Sequence, residues 1–341
     1  MRKLKFFEKI MFFCNSVVAF VLLLSYVLPL LPPKTFAALS VLGLGVPFLI
    51  LLNTLFFVYW LVKIKKQLLL PLFVLAIGYF VFGSLYKFSE SKTIDNKNNI
   101  SIMNYNVRLF NLYKWIPNED TEEKLVNFIK SEAPDILALQ EYHPRERTKL
   151  SFYKYKYEKL LGENKKYGQA IFSNYPIINS GSIAFPDTFN NAIYIDIVKA
   201  KDTIRVYNIH LQSLRIDPKV EKLTTEESEK LFKGVGKTFK IQQFQTELFL
   251  KHTKGCKYKM IICGDFNNTA FSYVYKQIKG NLNDTFNEAG NGFGRTYDFK
   301  FLPMRIDFIF ADPAFKINGF KTYDVEYSDH YPIMTKVSVV K

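Results

Sequence analysis

Three apolar runs crowd the first 89 residues and restrict the fold before anything else does. Runs 11–31, 36–62 and 68–86 carry no charged side chain. A helix of about 20 residues crosses roughly 30 Å of hydrocarbon, so each run is long enough to span a bilayer. Pro32-Pro33-Lys34 separates the first run from the second, and Lys63, Lys65 and Lys66 separate the second from the third. The predicted organisation is a membrane anchor over 1–89 with three transmembrane helices, a polar linker over 90–99, and a soluble domain over 100–341.

Charge gives the orientation. The tail carries Arg2, Lys3, Lys5 and Lys9, the 63–66 connection carries three lysines, and the first connection has only Lys34. Basic connections stay cytoplasmic, so the tail and the 63–66 loop are expected inside. Three crossings then make a multi-pass membrane protein with a cytoplasmic N-terminus and residues 90–341 extracytoplasmic. A cleaved signal peptide would also explain the first run, but not the two that follow it. Of the 46 Lys/Arg and 31 Asp/Glu, the first 89 residues hold nine and one. The remaining basic excess favours an anionic partner only weakly. Three cysteines, Cys14, Cys256 and Cys263, have no zinc spacing and are expected as free thiols in packed surroundings.

Beyond residue 99 the periodicity changes. Strands are predicted over 100–108, 135–140, 169–173, 192–198, 204–211, 259–263, 306–311, 320–324 and 332–339. Helices are predicted over 122–131, capped by Thr121, and over 237–252. Strands outnumber helices and follow one another directly, which predicts packed sheets with helices outside rather than a repeating βαβ array. A charged stretch over 213–236 is expected as a solvated excursion or a lid.

Two motifs carry the chemistry. Gly264-Asp265-Phe266-Asn267 and Ser328-Asp329-His330 each follow an apolar, strand-like run. Strand ends that deliver Asp, Asn, Asp and His to one sheet edge hold a hard cation beside a proton-transfer group. Phosphate-ester cleavage needs that combination.

The ordered blocks MNYNVR, DILALQE, GQAIFSNYPI, VYNIHLQS, ICGDFN, RIDFIF and SDHYPI resemble the endonuclease/exonuclease/phosphatase superfamily over about residues 98–341. The resemblance implies an α/β fold of the α+β type: a four-layer sandwich of two mainly antiparallel sheets with outer helices. It also implies metal-dependent phosphoester hydrolysis. By the same resemblance, Asn106, Glu141 and Asp329 are expected at the metal, which is Mg²⁺ with Mn²⁺ as a substitute. Asp265 and Asn267 are expected to position the attacking water and a phosphoryl oxygen. His330, oriented by Asp307, and His210 are expected beside the scissile phosphate. Arg305 is expected to pair with Asp307 or with substrate. A solvated Glu141, an Asx-turn at 265–267 and packed core histidines are the structural alternatives for the same residues. His143 and His252 are expected on the surface.

The substrate is a phosphoester in nucleic acid or in a lipid headgroup. Lysines and aromatics interleave over 149–166, as in a nucleic-acid patch or as in a strand with a lysine-covered solvent face. A phosphodiesterase or endonuclease fits the motifs. A sphingomyelinase-like lipid phosphodiesterase, an inositol phosphatase and a catalytically silent binding module are the alternatives. The lipid bilayer is the partner of residues 1–89, and no obligate protein partner is inferred.

Overall fold

The computed structural model describes residues 4–82, 86–88, 94, 96–118, 120–145, 149–161, 166–214, 224–299 and 302–340. Arg2 and Lys3 of the tail, 83–85 of the third run, 90–93 and 95 of the linker, 162–165 of the basic stretch and 215–223 of the charged stretch lie outside the described residues. The chain forms two compact units. One comprises Met1–Leu85 with Thr224–Gln243 and Thr269–Lys276; the other comprises Tyr86–Leu223, Phe244–Asn268 and Gln277–Lys341.

The first unit is helical. Helix α1 is Phe6–Ser25, α2 Pro33–Leu42, α3 Val46–Val62 and α4 Leu69–Phe82. Pro33 opens α2 at its first position, where its missing N–H costs nothing. A 3₁₀ turn at Gly43–Gly45, followed by Pro47, bends the expected 36–62 span into two helices. Two helical stretches, Phe6–Leu30 and Pro33–Val62, are long and apolar enough to cross a membrane; the third, Lys66–Phe80, is shorter. Of the three expected spans, two have the length and apolarity required, among the described residues.

This unit buries amides beside an apolar cluster that includes Ala19, Leu22, Val46 and Val74, and leaves large aromatics outside. Asn15 and Asn53 are fully buried, while Phe6, Phe13, Phe20, Phe73 and Phe80 are exposed. Trp60 Nε1 donates to Asn15 Oδ1 at 3.0 Å, and Tyr26 donates its hydroxyl to the Val74 carbonyl at 3.0 Å. Cys14, expected to be packed, is exposed on α1.

The second unit is a sandwich of two six-stranded sheets. Its strands are β1 Ile100–Asn106, β2 Ile136–Tyr142, β3 Tyr155–Leu161, β4 Tyr167–Ser173, β5 Ile177–Ala184, β6 Asn191–Lys199, β7 Asp202–His210, β8 Lys259–Asp265, β9 Asn283–Asp284, β10 Tyr297–Phe299, β11 Leu302–Met304, β12 Asp307–Ala311, β13 Phe315–Thr322 and β14 Ile333–Val339. One sheet has the order β13-β14-β1-β2-β4-β3, the other β5-β6-β7-β8-β12-β9, and β10-β11 is a separate ribbon. Each large sheet is antiparallel except for one central parallel pair, β1–β2 and β7–β8. Helix α5, Thr121–Glu132, covers the outer face of the first sheet through Leu125 and Ile129. Its N-cap position is Asp120; Thr121, expected as the cap, is the first helical residue.

Alternation explains the layers. Ile100 and Ile102 of β1 face the inter-sheet core, with Ile136 and Ala138 of β2, Ile204 and Val206 of β7, and Ile261 and Cys263 of β8. Met103 and Tyr105 point outward, beneath α5. Side chains two apart share a face, so the inter-sheet row continues along each strand as Asn104 and Asn106, Gln140, Asn208 and His210, and Asp265. One end of the core is thus built of oil and the other of amides and acids. The unpredicted β5 reads INSG in its middle, where Gly181 makes room for the Tyr194 side chain: a Cβ there would stand 2.6 Å from its hydroxyl.

Helix α6, Thr225–Thr253, begins 12 residues before the predicted 237–252 helix. The charged stretch is therefore helical from Thr225 onward, and its turns up to Gln243 belong to the helical unit. Helices α7, Tyr273–Lys279, and α8, Thr285–Ala289, complete the described elements.

Candidate active site

The polar strand ends meet at one rim of the sandwich. Asn106, the last residue of β1, donates from Nδ2 to Asp265 Oδ2 at 3.0 Å and to Glu141 Oε1 at 3.4 Å. His210 Nε2 lies 3.7 Å from Asp265 Oδ2 and 4.0 Å from Glu141 Oε1. His330 Nε2 lies 3.7 Å from the same Asp265 oxygen, while its Nδ1 bonds Asp307 Oδ2 at 2.8 Å. Asn267 donates its backbone N–H to Asp265 Oδ1 at 2.7 Å and its side-chain amide to the Leu211 carbonyl at 3.0 Å. Seven expected residues thus converge: Asn106, Glu141, His210, Asp265, Asn267, Asp307 and His330.

Local backbone chemistry sets these positions. Gly264 stands opposite Ile209 in the β7–β8 ladder, with His210 opposite Asp265. Its φ is +155°, and a Cβ would fall 2.0 Å from the Ile209 carbonyl oxygen. Only glycine lets the two strands approach so closely. By simple alternation Glu141 would point away from the core, since Gln140 faces it. A bulge between Leu139 and Tyr142, with Glu141 at φ +48°, re-aims the carboxylate toward Asn106. A non-glycine residue there stores about 1–3 kcal/mol of strain, a cost concentrated at functional positions.

Burial and charge divide the two histidines. Burial alone would lower His330, but the Asp307 and Asp265 carboxylates hold it well above the ordinary imidazole range, which favours a cation. His210 is held below that range by burial, with Asp265 only partly opposing, which favours the neutral ring. Burial pushes Asp265 up to about 6, against the pull of His330. Glu141 is raised by burial and by the Asp329 charge.

Two further expected residues have ion-pair partners of their own. Arg305, expected to pair with Asp307 or with substrate, pairs through Nη1 with Asp284 Oδ2 at 2.7 Å; its side chain is 10 % exposed, and its guanidinium lies over Phe286 and Phe308. Asp329, expected at the metal, pairs with Arg108 Nη1 at 3.1 Å and accepts from Ser328 Oγ. His252, expected on the surface, is half-buried against Tyr194 and Tyr207.

Three residues that sequence reasoning missed hold the others. Gln140 Nε2 donates to Asn104 Oδ1 at 2.8 Å and to Asn208 Oδ1 at 2.5 Å. Asn104 Nδ2 in turn donates to Asp307 Oδ1 at 3.3 Å. These buried amides link both sheets to the carboxylate that orients His330. Their signal was available: amides in inward slots of apolar strands.

The donors suit a hard divalent cation. Glu141 and Asp265 are carboxylates raised by burial, and His210 Nε2 is a buried atom with no hydrogen-bond partner. Asp265, Asp307 and His330 also present ligand atoms within 4.8 Å of one another, so that buried group could bind a metal. The 2.8 Å bond between His330 Nδ1 and Asp307 competes with ligation by that histidine nitrogen.

Comparison with known proteins gives the same fold. The chain is similar to a humanized D. rerio TDP2, at 18 % identity and TM-score 0.55, covering 71 % of this chain and all of that one. It is similar to the human Nocturnin catalytic domain with bound sulfate, at 20 % identity and TM-score 0.55, covering 74 % and 98 %. An endonuclease/exonuclease/phosphatase from Bacteroides vulgatus aligns at 17 % identity and TM-score 0.55, covering 72 % and 100 %. No curated protein matches in sequence. Residues 8–85 match a domain of unknown function (DUF8431). Residues 103–330 match the profile of the Endonuclease/Exonuclease/phosphatase family, a span that contains every strand end meeting at the rim, and the chain belongs to that family.

Proposed function

We propose that this chain is a membrane-anchored, divalent-metal-dependent phosphoester hydrolase that cleaves a phosphodiester by in-line attack of water. The supporting observation is the convergence of Asn106, Glu141, His210, Asp265 and His330 through separations of 3.0–4.0 Å at one rim. Glu141 and Asn106 would hold the metal, with Asp265 alongside. Bound there, Mg²⁺, or Mn²⁺ in its place, supplies charge neutralisation at the phosphate and the departing oxygen.

Protein groups carry the remaining steps. Asp265, a buried carboxylate between His210 and His330, would accept a proton from the attacking water. Asn267 fixes that carboxylate and offers an amide to a phosphoryl oxygen. His330, cationic and braced by Asp307, stabilises charge growing on the phosphoryl group. Neutral His210 contacts phosphate or donates to the leaving oxygen. No covalent enzyme intermediate is needed.

Residues 1–89 are read as a multi-pass anchor with the N-terminus cytoplasmic and the catalytic unit outside, supported by the exposed large apolar side chains of the helices and by the lysines at 63–66. Nucleic acid is the favoured substrate, since a D. rerio TDP2 structure carries a single-strand DNA product. The exposed apolar helices favour a lipid phosphodiester as the second reading. The test is the full chain in nanodiscs with DNA, RNA, phospholipid, sphingomyelin and inositol phosphates, with Mg²⁺ or with chelator. Chelator-sensitive cleavage that is absent in His330→Ala supports hydrolysis. Equal turnover in His330→Ala sinks it.

A further inference from the structure

The chain that delivers Asn106 to the rim leaves it by a left-handed turn. Arg108, Leu109, Phe110 and Asn111 have φ of +39°, +54°, +53° and +58°. L residues adopt four such positions in a row only where their surroundings impose them. Three sets of contacts do so. The Arg108 N–H donates to Asn106 Oδ1 at 3.1 Å. Phe110 is fully buried, its ring edge-on to Tyr142 with centroids 5.8 Å apart. Asn111 Nδ2 donates to the Ile116 carbonyl at 2.9 Å, and its Oδ1 accepts from the Ile116 N–H at 3.0 Å, so one amide brackets the chain between them.

That bracket presents two rings. Trp115 and Tyr113 are 42 % and 68 % exposed, with centroids 5.1 Å apart and planes at 70°. The Arg108 guanidinium lies over the indole, 4.5 Å from its centroid, while its Nη1 pairs with Asp329 Oδ2 at 3.1 Å. Asp329 immediately precedes His330, and Ser328 Oγ donates to the Asn106 carbonyl at 2.8 Å. One side chain therefore reaches from the Ser328–His330 motif to the indole. Among the described residues Asp329 is the only ion-pair partner of Arg108, which leaves guanidinium N–H groups for a phosphate oxygen. The sorting of side chains points to the occupant. A loop that dips into lipid exposes aliphatic bulk. Here Phe110 is buried, Leu109, Leu112 and Ile116 are half-buried, and the two rings are the large apolar side chains left outside between 107 and 118. Flat aromatic faces beside a guanidinium suit a single strand, since every base has a π face and every link a phosphate.

We propose that Trp115, with Tyr113 at its edge and Arg108 over its face, is a base-stacking subsite for the nucleotide that flanks the scissile phosphate of a single-stranded nucleic acid. This rests on the hydrolase assignment and names the substrate class of that site. Base stacking on an aromatic side chain is sequence-tolerant, so the subsite favours single strands over duplex without selecting a sequence.

The test uses the full chain in phosphatidylcholine nanodiscs, titrated in chelator with oligothymidylate and with an abasic chain of equal length built from phosphodiester-linked tetrahydrofuran units. Trp60 and Trp115 are the two tryptophans, and Trp60 is fully buried, so quenching by a base reports Trp115. Oligothymidylate is expected to quench the emission, and the abasic chain to leave it unchanged. By anisotropy of labelled chains, Trp115→Leu should bind oligothymidylate about 5–150-fold more weakly. Trp115→Phe should recover most of that affinity, and the abasic chain should bind wild type and Trp115→Leu alike. With Mg²⁺ restored, Trp115→Leu should cut oligothymidylate at a raised KM with kcat within about twofold. Wild-type affinity for oligothymidylate in Trp115→Leu overturns the proposal, as does equal quenching by the abasic chain. Quenching of Trp115 by brominated phosphatidylcholine, read in Trp60→Phe, marks the loop as a bilayer contact and also overturns it. Chelator-sensitive cleavage without quenching by base removes the subsite and leaves the hydrolase assignment standing. Quenching by base without cleavage of any diester removes the hydrolase assignment and leaves the subsite.

Discussion

Replacing Gly264 by alanine tests the geometry of the rim most directly. The new methyl carbon would stand 2.0 Å from the Ile209 carbonyl oxygen and 2.6 Å from the Ile209 side chain. The first neighbour is backbone, so no rotamer change relieves it, and β7 and β8 must separate by about 1 Å to reach a tolerable contact. Overpacking of this kind costs about 1–3 kcal/mol, and holding a non-glycine residue at φ +155° adds about 1–3 kcal/mol. The sum, about 2–6 kcal/mol, is a large part of the roughly 5–15 kcal/mol that a folded protein has in hand. His210 and Asp265 are register partners across this gap, so the same displacement moves them apart from 3.7 Å. Turnover on a soluble diester should fall about 10²-fold, with a thermal midpoint lower by roughly 5–20 °C. Gly234→Ala is the control: nothing lies within 4 Å of its added methyl, and a helical alanine is neutral or stabilising there. A Gly264→Ala protein with wild-type melting and rate would refute the close approach of β7 and β8.

Further outcomes follow from the same geometry. Chelation should abolish turnover and lower the melting temperature; Mg²⁺ or Mn²⁺ should restore both, and Glu141→Gln should need a much higher metal concentration, read by titration calorimetry. In Asp307→Asn the carboxylate that raises His330 is gone, so the alkaline limb of the pH–rate profile should move to lower pH. Stability shifts the same way. A histidine raised in the folded state stabilises fully below its unfolded pKa, about 6.5, and loses that stabilisation as pH rises through the folded value, so removing Asp307 should shrink the decline in melting temperature seen above about pH 6.5. Asn104→Ala strips Gln140 and Asp307 of a buried partner and should cost about 1–3 kcal/mol in denaturant unfolding, with a lower kcat. The chain should stay with membranes through an alkaline wash and leave only in detergent; release by the wash alone would contradict the anchor.

Much of the sandwich was legible because its strands alternate. Alternation and continuous apolar runs located eight strands and only the last three residues of β13, predicted at 320–324 and found at Phe315–Thr322, and amphipathic spacing located α5. Patterning failed at β5, whose polar residues and Gly181 carry little apolar signal, and at β9, β10 and β11, which are only two or three residues long. It placed the start of α6 too late because the turns before 237 are charged and read as solvated chain. The seven rim residues were visible as motifs, since carboxylates, amides and histidines just past apolar runs stand out. Arg305 could not be assigned, because a guanidinium next to an aspartate in sequence says nothing of Asp284 on another strand.

The sequence by itself determined where apolar runs lie, which residues alternate inward, and that acids, amides and histidines end several strands. Those are local properties, set by side-chain chemistry and by the two periods of helix and strand. Tertiary structure alone decided that Glu141 turns inward through a bulge, that Gln140, Asn104 and Asn208 bridge the sheets to Asp307, and that Phe271 belongs with helices some 200–250 residues earlier in the chain. Each of these depends on which surfaces are brought together in space. Pairing energies between distant segments leave no mark on the local pattern of either one.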